Sequence, residues 1–148
     1  MADQSSISSP VPATEIRIAN DMAEIERVTD LVEDFGAGHE LSNSVIVALN
    51  VSLDEVLNNI ISYAYDDTAR HDILVRLAID GMGVEVIVED DGKPFDPLAV
   101  ATPRPRSDSE VGGVGLHFVR TLMDQLEYSR RAGINRLRLI KKLEHDHG

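Results

Sequence analysis

Residues 50–65 read NVSLDEVLNNIISYAY, and the rest of the chain is best understood around this stretch. It is long enough for about four turns of α-helix at 3.6 residues per turn. Most of it is apolar, yet a polar line runs along it, formed by Ser52, Glu55, Asn59 and Ser62. Because these residues are three or four positions apart, they share one face of a helix. By itself this line most simply indicates a solvated stripe on a surface helix.

If the same line faces inward, it predicts a binding or catalytic site, since a buried carboxylate or carboxamide needs a hydrogen-bond or metal partner. Glu55 could orient a hydroxyl group while Asn59, one turn later, coordinates a hard cation through its amide oxygen. A second pair, Asp54 and Asn58, has the same spacing. The spacing alone leaves open which pair faces inward.

On the N-terminal side, residues 14–19 alternate polar and apolar side chains, which predicts a short, half-buried strand. Asn20 or Asp21 can cap the helix that follows, and Gly36 and Gly38 end it. The apolar stripe of this helix is predicted to consist of Met22, Ile25, Val28, Val32 and Phe35. Ser42 or Asn43 is then predicted to cap the helix that contains residues 50–65 and runs on to residues 63–65.

On the C-terminal side, residues 73–79 and 84–88 predict two strands joined by a tight turn at 81–83. Residues 90–113 have no periodic pattern and hold four of the six prolines. Loops of this length inside a compact domain are often functional. A helical pattern returns over residues 114–126, and residues 126–131 and 134–143 predict a closing hairpin.

This order of elements predicts an α+β fold, a two-layer sandwich with helices on one face of a largely antiparallel sheet. We expect one domain over residues 14–143, a flexible lead-in over residues 1–13 and a short tail over residues 144–148. The regular alternation of a doubly wound fold is absent.

The composition restricts the function. A formal net charge of -12 argues against nucleic acid and against an anionic membrane surface as partners. The chain contains no cysteine, which excludes disulfides, thiolate metal sites and a cysteine nucleophile. We find neither a signal peptide nor about 18 continuous apolar residues, so we expect no membrane span and a cytoplasmic location.

Two further clusters could carry chemistry. The first is DDGKPFDP at residues 90–97, where Asp90 follows a strand and could accept a hydrogen bond from an amino group. Gly92 would leave room for a flat ligand, although an acidic turn fits this composition too. The second is GGVGL at residues 112–116, where backbone amides at a helix N-terminus could bind phosphate or merely form a hinge. The residues after these glycines do not fit a P-loop.

Taken together, the three clusters resemble the N, G1 and G2 boxes of the GHKL ATPases, in that order. LDEVLNNIISYAY resembles the N box, VEDDGKPFDP the G1 box and GGVGLHFV the G2 box. Within this superfamily, the sequence is most similar to the short anti-sigma-factor serine kinases of bacteria. The resemblance covers roughly residues 14–143 and implies the Bergerat-type fold, ATP and Mg²⁺.

The resemblance assigns roles to individual residues. Glu55 becomes the general base, Asn59 the magnesium ligand and Asp90 the acceptor for the adenine amino group, with Gly92 giving the ring room. This alignment favours Glu55 and Asn59, over Asp54 and Asn58, as the pair that faces the site. Residues 97–111 become the lid. The remaining nucleotide-binding positions implied by the two glycine-containing boxes are Pro94, Gly112, Gly113, Val114, Gly115 and Leu116.

The resemblance implies transfer of the terminal phosphate of Mg-ATP to an anti-sigma-factor antagonist with a STAS domain. It also implies a sigma factor as a second partner, partner switching and a homodimer. Val111 stands where some family kinases have an arginine. Arg104 or Arg106 could contact the γ-phosphate instead, or could be solvent-facing loop charges. One alternative is a catalytically inactive ATP-binding module. Another is a histidine kinase, but the short lead-in has no room for the helical hairpin that carries the phosphorylatable histidine of such kinases.

Overall fold

The computed structural model describes residues 13–81, 83–94 and 119–143. It contains five strands and two long helices within these ranges. The strands are β1 (Ala13–Ala19), β2 (Asp72–Asp80), β3 (Gly83–Asp90), β4 (Gln125–Arg131) and β5 (Ile134–Lys142). The helices are α1 (Ile25–Gly38) and α2 (Asn43–Tyr63), and a short 3-10 helix at Met22–Glu24 precedes α1.

The five strands form one sheet in the order β1-β2-β3-β5-β4, and each neighbouring pair is antiparallel. The register places Ile16, Val75, Val88, Leu137 and Tyr128 in one row across all five strands. Successive side chains of a strand alternate between the two faces, so this row and its equivalents make one face apolar. Both helices pack on that face. The predicted α+β sandwich is therefore confirmed.

Helix α2 is the central element of the helical layer. Ser42 caps it, because the Ser42 hydroxyl accepts a hydrogen bond from the Val45 amide at 3.3 Å. Its buried apolar side chains are Val45, Ala48, Leu49, Leu53, Val56 and Leu57. The helix is thus a core helix whose inward face packs on the sheet and on α1.

Three predictions about the helices need correction. Met22 is 44% exposed and does not join the apolar stripe, because it lies in the 3-10 helix, where three residues per turn change the direction of the side chain. The helix predicted for residues 114–126 has ended by residue 122. Leu126 lies instead in β4, opposite Leu139 of β5. The polar line is not the solvated stripe that its spacing alone indicated, because Ser52 and Asn59 are buried; of its four residues, Ser62 is exposed.

The hairpin turns match the sequence. Gly81, with φ of 64°, follows β2, and Ala132 and Gly133, with φ of 54° and 81°, connect β4 to β5. Backbone with positive φ is favoured in tight hairpin turns because its twist matches that of the strands.

Four segments discussed above lie outside the described residues: the lead-in before residue 13, the lid at 97–111, the glycine turn at 112–116 and the tail at 144–148. Ala13, predicted as the last lead-in residue, is the first residue of β1.

Candidate functional site

A cavity of about 390 Å³ lies between α2 and the ends of β3, β4 and β5. This volume is within the range of small-molecule sites in proteins. Its wall is mostly apolar, with a few polar groups from α2, β3, the turn after β3 and the β4–β5 hairpin. The residues that line it are Val56, Asn59, Ile60, Tyr63, Ala64, Val88, Asp90, Lys93, Pro94, Tyr128, Asn135 and Leu137.

Asp90 is the buried carboxylate of this cavity, with 6% of its surface exposed. It ends β3, so the strand delivers it to the edge of the apolar layer. Its Oδ1 accepts hydrogen bonds from the Gly92 amide at 2.8 Å and from Asn135 Nδ2 at 2.9 Å. Burial raises the pKa of Asp90, while these two bonds oppose that rise. Both hydrogen bonds from the described residues go to Oδ1, so Oδ2 is the oxygen available to a ligand.

Gly92 has a different neighbour from the one expected. A Cβ atom there would lie 2.5 Å from Ala64 Cβ and 2.6 Å from the Ala64 carbonyl oxygen. The adjacent Lys93 amide donates to that same carbonyl at 2.8 Å. The space that a side chain would need is therefore taken by the end of α2, rather than left open for a flat ligand. Glycine lets the 91–94 turn lie directly against this helix end.

Asn59 is the polar side chain that α2 contributes to the cavity. It is 8% exposed, and its Nδ2 donates to the Glu55 carbonyl oxygen at 2.8 Å. With the amide nitrogen engaged, the amide oxygen is the atom left for a ligand. An amide oxygen is a suitable ligand for a hard cation such as Mg²⁺.

Glu55 lies one turn before Asn59 and is half-buried. Partial burial raises the pKa of its carboxyl group, and the neighbouring Asp54 carboxylate raises it further. Among the described residues, Glu55 is not part of the cavity wall. The rival pair lies outside the wall too, since Asp54 is exposed and the Asn58 amide turns back to the Asp54 carbonyl oxygen. The structure thus places Asn59, and not Asn58, at the cavity.

The sequence did not predict the polar cluster on the β4–β5 hairpin. Asn135 is 5% exposed, and Tyr128 and Arg130 both donate to its Oδ1. One signal was present: Asn135 occupies an inward position of β5, followed at the next inward positions by Leu137 and Leu139. A buried asparagine in an apolar series needs hydrogen-bond partners, and such a residue marks a candidate site.

The remaining predicted nucleotide-binding residues divide between the cavity wall and the part of the chain outside the described residues. Pro94 lines the cavity, as does Lys93, whose Nζ pairs with Asp66 at 3.0 Å. The predicted phosphate-binding and lid residues all lie outside the described part of the chain; they are Arg104, Arg106, Val111, Gly112, Gly113, Val114, Gly115 and Leu116.

The described residues fit an adenine nucleotide better than a free metal ion. Within residues 13–81, 83–94 and 119–143, no group of three or more His, Cys, Asp or Glu side chains could hold a metal ion. A magnesium ion bound through Asn59 could take phosphate oxygens and waters as further ligands, which is how Mg²⁺ usually binds with nucleotides. The apolar wall and the single buried carboxylate fit a flat base that carries an amino group.

By length and composition alone, α2 could cross a membrane, because it has 21 residues and contains an 18-residue window with a mean hydropathy of 1.4. Its buried face packs in the core described above, and such core helices pass the same test. The helix is therefore weak evidence for a membrane span.

The chain is similar to known proteins in sequence. It is 36% identical over 96 residues to the serine/threonine-protein kinase BtrW of Bordetella bronchiseptica, which covers 62% of this chain and 66% of the relative. It is 29% identical over 93 residues to the serine-protein kinase RsbW of Bacillus subtilis, covering 58% of each chain. The matched segment thus spans less than two thirds of the length of these relatives.

Solved structures share the fold. The RsbU and RsbW domains of a Mycobacterium tuberculosis protein match with a TM-score of 0.64 at 18% identity, over 90% of this chain and 33% of that one. The histidine kinase domain of a blue-light activated kinase from Erythrobacter litoralis matches with a TM-score of 0.53 at 18% identity, over 94% of this chain and 68% of that one.

The family model of the histidine kinase-like ATPase domain matches residues 18–141 of this chain. The chain therefore belongs to the histidine kinase-like ATPase family and is related to the serine kinases RsbW and BtrW.

Proposed function

We propose that this protein binds Mg-ATP and transfers its terminal phosphate to a serine or threonine of an anti-sigma-factor antagonist with a STAS domain. It would also bind a sigma factor and exchange the two partners according to nucleotide and phosphorylation state. The observation that carries the proposal is that Asp90, at the end of β3, and Asn59, on α2, line the same largely apolar cavity. Family membership and the serine kinase relatives support it.

Each residue has a defined part in this proposal. Asp90 accepts a hydrogen bond from the adenine amino group through Oδ2, and the apolar wall covers the faces of the base. Asn59 holds Mg²⁺ through its amide oxygen, and the bound ion would neutralise phosphate charge. Pro94 belongs to the same nucleotide site, while the phosphates are assigned to the glycine turn at 112–116, with Arg104 or Arg106 as candidate γ-phosphate contacts.

Glu55 is proposed to orient the attacking hydroxyl and to accept its proton. The hydroxyl oxygen forms a bond to the γ-phosphorus, the bond from that phosphorus to the β,γ-bridging oxygen breaks, and ADP leaves. The raised pKa of Glu55 supports this role, because a stronger base accepts a proton more readily. Positioning and charge neutralisation account for most of the catalysis in reactions of this kind.

Nucleotide binding is tested by thermal unfolding with ATP, ADP and Mg²⁺. We expect stabilisation of the wild type that grows with ligand concentration. Asp90→Asn should weaken the shift with every adenine nucleotide, whereas Asn59→Ala should mainly remove its dependence on Mg²⁺. Equal shifts in all three proteins would contradict the assignment of the site.

A second candidate function is an ATP-binding regulatory module without kinase activity. The observation that favours it is that Glu55 is not in the cavity wall formed by the described residues. Incubation with γ-labelled ATP and the cognate antagonist separates the two. A kinase transfers label to the antagonist, while a pure binder retains nucleotide and leaves the antagonist unlabelled.

The partners belong to the proposal as well. The formal net charge of -12 suits a basic partner such as a nucleic-acid-binding sigma factor. The protein is proposed to act in the cytoplasm, without binding nucleic acid or membrane, and as a homodimer. Light scattering of the purified protein at several concentrations tests the dimer directly.

A further inference from the structure

The hairpin β4–β5 holds the buried carboxylate of the cavity through a single side chain. Asn135 stands opposite Asp90 in the register of β3 and β5, and its Nδ2 donates to Asp90 Oδ1 at 2.9 Å. The same Nδ2 also lies 3.2 Å from the Gly92 carbonyl oxygen and 2.8 Å from that of Lys93. One amide group therefore contacts both the carboxylate and the turn that follows it.

We propose that Asn135 is a positioning residue that fixes the Asp90 carboxylate as an outward-facing hydrogen-bond acceptor for the base of the nucleotide. The role rests on the proposed nucleotide function and names the residue that gives the site its preference for an amino-bearing base. Asn135 acts through Asp90 and not by touching the reacting phosphate.

The orientation of the Asn135 amide follows from its surroundings. Three oxygen acceptors surround Nδ2, whereas two donors, the Tyr128 hydroxyl and Arg130 Nη1, point to Oδ1. A flipped amide would place its oxygen against three other oxygens and its nitrogen against two donors. Because the flipped state loses each of these bonds, the amide has one stable orientation. Arg130 strengthens it by donating to the Gly92 carbonyl oxygen at 3.0 Å as well.

This fixed amide has two effects on Asp90. It occupies Oδ1 together with the Gly92 amide, so that, among the contacts made by the described residues, Oδ2 remains as the acceptor for a ligand. It also favours the charged form: burial raises the pKa of Asp90, and the Asn135 hydrogen bond is the largest of the effects that oppose this rise. An ionised carboxylate can only accept hydrogen bonds, so it selects a base that donates one.

The experiment compares ATP with purine riboside triphosphate, which carries hydrogen in place of the 6-amino group. Calorimetric affinities are measured with Mg²⁺ for the wild type and for Asn135→Leu, which has a similar shape but no amide. We expect the preference of the wild type for ATP to fall about tenfold or more in Asn135→Leu, the usual size for a hydrogen bond to a charged group. The affinity for purine riboside triphosphate should fall much less than the affinity for ATP, and a cooperative unfolding transition shows that the variant is folded.

The pH profile gives a second readout that a merely structural role would not move. In Asn135→Leu the pKa of Asp90 should rise further, so ATP affinity should begin to fall at a higher pH than in the wild type as the pH is lowered. The double variant Asp90→Asn/Asn135→Leu should have the same preference for ATP over purine riboside triphosphate as Asp90→Asn alone, because Asn135 acts through the Asp90 carboxylate. Ser129→Ala, an exposed change on the same hairpin, is the matched control and should behave as wild type.

The outcomes are distinct. An unchanged ATP preference in Asn135→Leu, or an equal loss in Ser129→Ala, would overturn the role of Asn135 while leaving the nucleotide site intact. A wild type that binds neither triphosphate would overturn the proposed function and this role with it. If Asn135→Leu does not fold, Asn135→Ser, which is smaller and polar, is measured and judged by the same criteria.

Discussion

Asp90 and Asn135 are 45 residues apart in sequence, yet in the cavity Asn135 Nδ2 lies 2.9 Å from Asp90 Oδ1. Asp90 could be found from the sequence, because an aspartate after an apolar strand and before a glycine is a recognisable pattern. The alternating series of Asn135, Leu137 and Leu139 marks Asn135 as a buried polar residue, but its partner Asp90 depends on the pairing of β3 with β5, which no local pattern specifies. The choice of Asn59 over Asn58 also needed the fold, since both belong to pairs with the same spacing.

Glu55 allows a prediction about the pH dependence of phosphate transfer. Its pKa is raised by burial and by the Asp54 carboxylate, and the base must be ionised to accept a proton. Labelling of the antagonist should therefore decline as the pH falls through a midpoint above the ordinary glutamate value of about 4.3. Asp54→Asn should move that midpoint to lower pH, because one of the two causes is removed. Glu55→Gln should bind ATP but transfer no label.

Gly92 allows a prediction about stability. Gly92→Ala would bring a methyl group within 2.5 Å of Ala64 Cβ, so the turn after β3 must move away from the end of α2. Overpacking of this kind typically costs about 1–3 kcal/mol of unfolding free energy. Gly38→Ala is the control, because a Cβ there meets no neighbouring atom within 4 Å. Denaturant unfolding of both variants measures the difference, and equal stability would contradict the close approach.

At the scale of elements, local rules located most helices and strands. The sequence predicted the cap at Ser42 or Asn43, the alternation in β1, the strand β2 and the turn at 132–133. Errors arose where an element changes type within a few residues. Met22 continues the apolar period of α1 but lies in a 3-10 helix, and Leu126 continues a helical period but pairs in β4. Tertiary packing settles such boundaries, and a local period does not contain that information.

The central position of α2 leads to a prediction at this scale. Leu57 is fully buried between the layers, so Leu57→Ala leaves a cavity in the core. Such substitutions cost about 2–5 kcal/mol of unfolding free energy. Val51→Ala on the exposed side of the same helix, where the valine is 38% exposed, should cost much less. Denaturant unfolding would contradict the layered packing if the two variants lost equal stability.

At the scale of the whole molecule, a histidine links the helical layer to the sheet beside the cavity. His71 Nε2 lies 2.8 Å from Asp67 Oδ1, and His71 Nδ1 lies 3.3 Å from Asp91 Oδ1. The Tyr65 ring stacks on the imidazole with centroids 4.1 Å apart. The hydrogen bond to Asp67 is the main cause that raises the pKa of His71, and Asp91 raises it further, against the effect of burial. When it is protonated, the imidazole thus joins the segment after α2 to the turn after β3 by two ion pairs.

The sign of the resulting pH dependence follows from the raised pKa. The contribution of His71 to stability is fully present below about pH 6.5, the ordinary histidine value, and is lost as the pH rises through the higher pKa of the folded state. The difference in unfolding free energy between the wild type and His71→Gln should therefore shrink with rising pH. Denaturant unfolding across this range tests it, and a constant difference would contradict a charged link.

The pairing of β3 with β5 also has a consequence for biosynthesis. A ribosome makes Asp90 well before Asn135, so a growing chain has the carboxylate before it has the amide that positions it. Until the β4–β5 hairpin has left the ribosome and β5 has paired with β3, the nucleotide site is incomplete. ATP therefore cannot bind there and stabilise the folded state by mass action. Nascent chains that end before residue 135 should thus gain no protease resistance from ATP, whereas released full-length chains should.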